Sequence, residues 1–298
     1  MALTRVVYTD TILTFSSTLL GVGGQNPIHL STVQNATFTV NIPRENVNAM
    51  GFGGTVDRPQ LTAADATCEF SYIPELDILT PSTSSFSGED LNFLVQDTKK
   101  GNPTRNTSIV VNGMGQLDNS LMNSMGFEGA VGALPTMTMG FTGVKAAAIP
   151  GLGAARTNVA TAMVLLEPRD IALNTTAFLP IGGVDACAQS VSFSWEMPVE
   201  KIVCLGQNPT LAANVNVFGN PPGTCSITVE ALNDQIADGA AAATYDLKVG
   251  AYQFRVVGMR IDSKTNSLAI GELFGTFNYV LGGTADGLTV SNIVTVRA

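Results

Sequence analysis

The residues that could carry metal or covalent chemistry are few and lie far apart in this sequence. The chain has one histidine, His29, and four cysteines, Cys68, Cys187, Cys204 and Cys225. No two cysteines form a C-x-x-C pair, and one histidine cannot complete the Cys/His ligand sets that hold zinc. Nucleophilic catalysis needs a base beside a serine or cysteine, and a lone histidine at the entrance of a predicted strand, as His29 is, is more often a surface or packed residue than a catalyst. We therefore predict no catalytic residue, no metal site and no cofactor, with buried free thiols or, alternatively, a disulfide.

Phosphate loops and paired carboxylates are also poorly represented. The stretches GVGG (21–24) and GLGAAR (151–156) are rich in glycine. Neither contains the lysine of a P-loop, the second lacks the third glycine of a dinucleotide loop, and no strand–helix–strand pattern surrounds them. Glu89 and Asp90 are adjacent, whereas glycosidases need two carboxyl groups that face each other. An enzyme is therefore not predicted.

The charges are mostly acidic. The formal net charge is −9, and residues 1–148 and 149–298 are both acidic, with 7 Lys/Arg against 12 Asp/Glu and 8 against 12. Proteins that grip nucleic acid gain affinity by placing Lys and Arg on phosphates, and this chain has too few to do so. It could still enclose DNA without holding it. Lys99, Lys100 and Arg105 form one small basic cluster, which is either a solvated loop or a loop that docks on the acidic surface of a neighbouring subunit.

The composition indicates β-structure and extensive contact with other subunits. Hydrophobic residues make up 45% of the 298 residues, which is enough for two cores, but charged residues only 13%, against about 25% in an average soluble protein. The N-terminal sequence MALTRVVYTDTILTFSS lacks the pattern of a signal peptide, and no stretch reaches the ~18 apolar residues of a membrane helix. We expect a protein kept in a cytoplasm-like compartment, without a membrane partner.

Two long stretches of the sequence resemble each other. VQNATFTVNIPRENVNAMG (33–51) aligns without a gap on AQSVSFSWEMPVEKIVCLG (188–206) at an offset of 155 residues. The matched pairs are Phe38 with Phe193, Ile42 with Met197, Pro43 with Pro198, Glu45 with Glu200, and Gly51 with Gly206. Three further blocks follow in the same order: Cys68 with Cys225 at offset 157, a weaker match of 113–120 with 258–264, and 136–143 with 276–283 at offset 140. We predict a duplication, with modules at 1–148 and 149–298 and an extra segment of the first module at about 78–107.

The periodicity of the matched blocks predicts the elements that carry them. Apolar residues alternate around Phe38 and Phe193, which is typical of half-buried strands, and Pro43 and Pro198 would end those strands. Residues 43–51 fit either a short helix or an irregular loop. Residues 88–97 have helical spacing, but LNFLVQD also fits a strand, and we favour the strand. The fold class is thus mainly β with little helix, with Trp195 in the core and Glu45 and Glu200 as local caps or ion-pair partners.

This set of blocks resembles the tail tube proteins of tailed bacteriophages. In both copies an alternating strand precedes an apolar-Pro-x-Glu motif ending in glycine, a Thr-Cys strand follows, and an acidic segment precedes a last alternating strand. The segments are IPRENVNAMG, MPVEKIVCLG, ATCEFSYI, TCSITV, QLDNS and RIDSK. The resemblance covers most of both halves and is weakest at 1–25 and 78–107.

The resemblance implies β-sandwich-like or barrel-like modules, commonly six to a ring, in rings that stack into a hollow tube through which the genome leaves. Since this chain carries two modules, a trimer would give a pseudo-hexameric ring. The implied partners are the chain itself, other tail proteins (sheath or tip, terminator) and passing DNA that is not specifically bound. The implied location is the virion tail, assembled in the host cytoplasm. The alternatives are a tail-tip hub or adhesin-like binding protein and, from a third class, a hydrolase.

Overall fold

A computed structural model describes most of the chain. The described residues are 13–19, 28–30, 32–42, 44–48, 53–59, 65–74, 86–100, 105–111, 115–145, 167–175, 187–202, 217–219, 222–232, 242–268 and 275–293. Within these ranges strands dominate and the one α-helix is 13 residues long, so the predicted mainly β fold with little helix is confirmed. No helix in the described ranges is long and apolar enough to span a membrane.

The described part of the first half contains nine strands and the helix. In chain order they are β1 (Leu13–Leu19), β2 (Ile28–Leu30), β3 (Val33–Asn41), β4 (Val47–Asn48), β5 (Thr55–Asp57), β6 (Asp65–Tyr72), α1 (Gly88–Lys100), β7 (Arg105–Val111), β8 (Gly115–Ala130) and β9 (Thr136–Lys145). The small ribbon of β4 and β5 shows that the short-helix alternative for residues 43–51 was wrong, since Val47 pairs with Asp57 in an antiparallel ladder.

Nine strands also lie in the described ranges of the second half, with 3-10 turns at 168–170 and 285–287. The strands are β10 (Ile171–Thr175), β11 (Ala188–Glu196), β12 (Glu200–Ile202), β13 (Val217–Gly219), β14 (Thr224–Ala231), β15 (Ala243–Val249), β16 (Tyr252–Ser267), β17 (Thr276–Thr284) and β18 (Leu288–Asn292). Here β12 and β13 form a ribbon like that of β4 and β5, with Ile202 paired to Val217.

Eight of these strands form one continuous antiparallel sheet that both halves share. The order of neighbours is β3-β6-β9-β8 from the first half, followed by β11-β14-β17-β16 from the second. We call these eight strands the shared sheet. The pairing of β8 with β11 joins the halves, and we call it the internal seam.

Six of the other described strands pair beyond the shared sheet and contribute side chains to the core. β7 pairs with the first residues of β8 and with β1, which also pairs with β2. In the second half the beginning of β16 pairs with β15 and β18, and β15 pairs with β10. Aromatic rings pack against each other in the core: the Phe193 ring is stacked on the Phe254 ring, with the two ring centres 5.1 Å apart. An ion pair between Asp246 and Arg255, 2.7 Å apart, lies across the β15–β16 ladder.

Residues 88–100 form a helix, so the preference for a strand over 88–97 was wrong. The reason is local: the Asp90 amide donates to Ser87 Oγ at 3.1 Å, and the Ser87 amide donates to Asp90 Oδ2 at 3.0 Å. This reciprocal cap satisfies two amides that a helix N-terminus leaves without partners. Leu91, Leu94 and Val95 are all buried on one face of α1.

Candidate functional site

The shared sheet has two chemically different faces, because side chains alternate along each strand. One face, which we call the apolar face, carries the large buried side chains. Its fully buried members include Cys68, Phe70, Phe127, Phe141, Trp195, Ile227, Tyr279 and Leu281. The second set of positions, the polar face, consists mainly of small hydroxyl residues, glycines, asparagines and acids, and it includes Val280. Representative members are Thr39, Thr67, Thr138, Ser124, Ser194, Thr228, Asn278 and Thr265.

The charges of the polar face are predominantly acidic. Its described carboxylates are Glu69, Glu128, Glu196, Glu230 and Asp262, and its one described basic residue is Arg260 on β16. Asp262 belongs to this face because its side chain fills the space above Gly282, where a Cβ atom would collide with it. This face therefore presents a smooth surface of short side chains with an excess of negative charge.

The internal seam is an ordinary ladder between strands of different halves. Trp195 pairs with Met125 and Phe193 pairs with Phe127, and all four side chains are buried. Beyond the ladder, the Met197 amide donates to the Asn123 carbonyl at 2.9 Å, and Met197 is 3% exposed. The halves thus share hydrogen bonds and one hydrophobic core along the whole seam.

The two halves arrange their strands in the same order. From the seam outwards, the second half runs β11-β14-β17-β16-β15-β10, and the first half contains the order β3-β6-β9-β8-β7-β1. The longest strand of each half contains a bulge where it pairs with the next strand along the chain. In β8 the bulge is at Asn123, opposite β9, and in β16 it is at Asp262, opposite β17. The strands β3, β6, β9 and β8 thus have the same neighbours in the first half as β11, β14, β17 and β16 have in the second.

The ladder registers relate the two halves residue by residue. Phe38 pairs with Cys68, while Phe193 pairs with Ile227. Cys68 pairs with Phe141, while Ile227 pairs with Leu281. Both relations keep the sequence offsets of 155 for β3 and 140 for β9, and they place Ile227 at the position of Cys68. The sequence match of Cys68 with Cys225 thus puts both cysteines on corresponding strands but two residues apart in register.

Helix α1 (Gly88–Lys100) lies in the first half of the chain, within the predicted extra segment, and it packs on the second half. The Gly88 amide donates to Asn292 Oδ1 at 2.6 Å, and the Val290 amide donates to Asn92 Oδ1 at 3.1 Å. Just before the helix, the buried Tyr252 hydroxyl donates to the Phe86 carbonyl at 2.6 Å. A Cβ atom on Gly88 would lie 2.6 Å from the backbone of β18, so glycine permits the close approach. Besides the seam, α1 is a second connection between the halves.

Lys99 extends this connection. Its Nζ donates to the carbonyl oxygens of Asp286 and Leu288, at 2.8 and 2.6 Å. Burial lowers the pKa of Lys99, an effect opposed by the charge of Asp286. Burial also raises the pKa of the nearby Cys225 thiol to about 12. In the predicted basic loop, Lys99 and Lys100 end helix α1 and Arg105 begins β7. A contact of these three residues with a neighbouring subunit stays a prediction.

The other residues singled out from the sequence have different surroundings. Ile42 is 43% exposed, Glu45 and Pro198 are exposed, and Glu200 begins β12. Pro43, Gly51, Cys204 and Gly206 lie outside the described residues. His29 is exposed on β2, with its Nδ1 3.0 Å from Thr14 Oγ1. Among the described residues, no group of three or more His, Cys, Asp or Glu side chains could hold a metal ion.

Sequence reasoning missed the contacts of α1 with the second half. The Ser-Gly-Glu-Asp stretch at 87–90 is a recognisable helix N-terminal signal, but the partners Asn292 and Leu288 lie about two hundred residues away. No local pattern indicates such a contact.

Comparisons with known proteins agree with the resemblance. A family model described as "Phage tail tube protein" matches residues 62–291. The search of curated proteins found no match.

Proposed function

The chain belongs to the family of phage tail tube proteins, whose model matches 230 of its 298 residues, and we propose that it forms three-chain rings that stack into the tail tube. It is thus a structural protein of a bacteriophage tail. The observation that carries the proposal is the shared sheet, to which each half contributes four strands in the same order. A ring needs a head-to-tail contact whose rotation closes, and two equivalent modules per chain supply that contact twice per subunit.

The equivalence of the halves rests on a proposed tandem duplication, with modules at 1–148 and 149–298. Three observations support it: the matching strand order, the matching bulges at Asn123 and Asp262, and the sequence offsets kept in the ladders. The extra segment at about 78–107 contains α1, which packs across the seam. Three chains would then place six modules in one ring.

The polar face of the shared sheet would line the channel. Three chains with eight shared strands each would close a sheet of 24 strands. At a spacing of about 4.8 Å and a tilt of about 40°, such a barrel has a radius of roughly 24 Å. Short Thr, Ser and Gly side chains leave most of that radius open, which gives a duplex room to pass.

The charge of this face suits the passage of a polyanion. Basic side chains bind phosphates by releasing counterions, so a lysine-rich wall would retain DNA. The polar face instead carries Glu69, Glu128, Glu196, Glu230 and Asp262 against Arg260. DNA would therefore move along the wall without being held by it.

The remaining roles follow from a tube built of such rings. The chain would act without catalysis, in the virion tail after assembly in the host cytoplasm, and would contact sheath or tip and terminator proteins at the tube ends. Lys100 and Arg105 remain candidates for contact between neighbouring subunits. Lys99 is a poorer candidate, since its ammonium already binds two carbonyl groups of its own chain.

Native mass spectrometry of the assembled protein tests the ring. We expect a species of about 93 kDa, three times the 31.1 kDa of one chain, and multiples of that mass as rings stack. A closed ring of six chains, or a monomer that persists at high concentration, would contradict the proposal.

A further inference from the structure

We propose that helix α1 is an edge cap: it occupies the outer edge of β18 and keeps this strand from pairing with β18 of another copy of the chain. β18 lies outside the shared sheet, next to the beginning of β16, in an outer sheet that also contains β15 and β10. Within the described residues, β16 is its one partner strand. The inference does not rest on the proposed ring, because it concerns a strand that the ring does not use.

The cap replaces the hydrogen bonds that a further strand would make. The Val290 amide donates to Asn92 Oδ1 at 3.1 Å, and the Leu288 carbonyl accepts from Lys99 Nζ at 2.6 Å. Alternate residues of an antiparallel strand direct their backbone groups to the same side, so both groups face the side where a further strand would pair. The Leu288 amide is also used, since it donates to the Ala285 carbonyl. Helix α1 thus supplies one acceptor and one donor, as a peptide unit of a neighbouring strand would.

Glycine at position 88 brings the helix against the backbone of the strand. The Gly88 amide donates to Asn292 Oδ1 at 2.6 Å. A Cβ atom on Gly88 would lie 2.7 Å from the Ser291 carbonyl oxygen, so a larger residue would force the helix and the strand apart. With glycine in place, α1 fills the space that a strand of another copy would need.

The sequence of β18 explains why its edge needs a cover. Residues 288–293 read LTVSNI and contain neither a charged residue nor a proline. Uncharged segments of high β-propensity without proline promote aggregation when they are exposed. Natural proteins protect edge strands with charged side chains, proline, bulges or a covering helix or loop. At β18 the described structure shows the covering helix.

The cap and the strand belong to different halves of the chain. The buried Thr98 hydroxyl of α1 donates to the Met122 carbonyl of β8 at 2.8 Å, which ties the helix to the first half. β18 belongs to the second half and pairs with residues 252–256 of β16. The edge of β18 is therefore covered only when the two halves have docked. A chain whose halves are not docked would present β18 to a second copy.

A cross-linking experiment on the full chain tests the cap. The double variant Asn92→Ala/Lys99→Met removes the acceptor and the donor but keeps residues that favour a helix. Ser291→Cys, at an exposed position of β18, reports contact between copies, because a cross-link that joins position 291 to position 291 must connect two chains. The proteins are treated with a short bismaleimide, and cross-linked peptides are identified by mass spectrometry. We expect 291–291 pairs in the double variant and none in the Ser291→Cys protein with an intact α1.

Two further variants separate edge pairing from a general loss of stability. The control Glu89→Gln removes a charge from an exposed position of α1 and should give no 291–291 pair. Adding Thr289→Glu to the double variant places like charges on two paired copies of β18, which disfavours their pairing, and should abolish the cross-link. If the double variant does not fold, Lys99→Met alone undergoes the same tests with Asn92 in place.

Hydrogen exchange shows whether the cap has been lost. The Val290 amide of the double variant should exchange about 2- to 10-fold faster, as expected from the loss of one hydrogen bond. Faster exchange at Val290 without any 291–291 pair would overturn the proposal, because the edge would be open and yet unused. Unchanged exchange at Val290, or equal cross-linking with and without the cap, would overturn it as well.

Discussion

Replacing Gly88 by alanine should loosen helix α1 from the second half of the chain. The new Cβ atom would lie 2.6 Å from the Ser291 carbonyl carbon and 2.7 Å from Asn292 Oδ1, so α1 or β18 must move. Overpacking of this kind costs about 1–3 kcal/mol, and loss of the hydrogen bond from the Gly88 amide to Asn292 would add about 0.5–1.5 kcal/mol. The greater helix propensity of alanine offsets at most about 1 kcal/mol.

The net expectation for Gly88→Ala is a loss of about 1–3 kcal/mol in the free energy of unfolding, or roughly 2–10 °C in Tm for a chain of this size. Urea titration measures the stability, and hydrogen exchange should show faster exchange in both α1 and β18. Gly53→Ala is the matched control, because a Cβ atom at that position would have no neighbour within 4 Å. Unchanged stability together with undiminished protection of α1 would refute the close-approach reasoning.

Three other perturbations probe the core and the sheets. Trp195→Phe removes the indole donor to the Ala285 carbonyl, 3.1 Å away, and should cost about 1–3 kcal/mol in urea titration; an unchanged midpoint would refute the role of this bond. Burial raises the pKa of the Cys68 and Cys225 thiols to about 12, so at pH 8 iodoacetamide should label the exposed Cys187 first, and peptide mapping that finds equal labelling would contradict their burial. The hydrogen bond from Arg255 holds the pKa of Asp246 below its usual value. The contribution of this ion pair to the free energy of unfolding is therefore present above about pH 4 and is lost as pH falls through the folded-state pKa of Asp246. Asp246→Asn should therefore lower stability at neutral pH by about 0.2–1 kcal/mol, because the pair is partly exposed, and should flatten the acid limb of the stability curve; an acid limb as steep as that of the parent protein would count against this ion pair.

The sequence predicted the individual strands of the shared sheet better than the elements that surround them. Apolar and polar residues alternate around Phe38, Phe193 and Phe141 because neighbouring residues of a strand face opposite sides. The strands could therefore be predicted from the local sequence. The strand pairings also keep the sequence offsets of 155 residues between β3 and β11 and of 140 residues between β9 and β17. The ladders place Cys68 and Cys225 two residues apart in register, a difference that period-two patterns cannot detect, because a shift of two keeps the same face buried.

Helix α1 and the seam depend on contacts that no local pattern contains. LNFLVQD suits a strand by composition, yet the Ser87–Asp90 cap and the packing of Leu91 and Val95 select the helix. Tertiary packing commonly overrides such weak propensities. The sequence also showed the cluster of basic residues, but it did not show that Lys99 would donate hydrogen bonds to carbonyl groups near β18. The pairing of β8 with β11 requires strands about sixty residues apart to meet at an edge.

A cryo-EM map of the assembled tube tests the central claim most directly. It would count the chains in one ring and locate the polar face of the shared sheet. We predict three chains arranged as six modules, with Glu69, Glu128 and Glu196 facing the channel. A ring of six chains, or a channel lined by the opposite face of this sheet, would contradict the account.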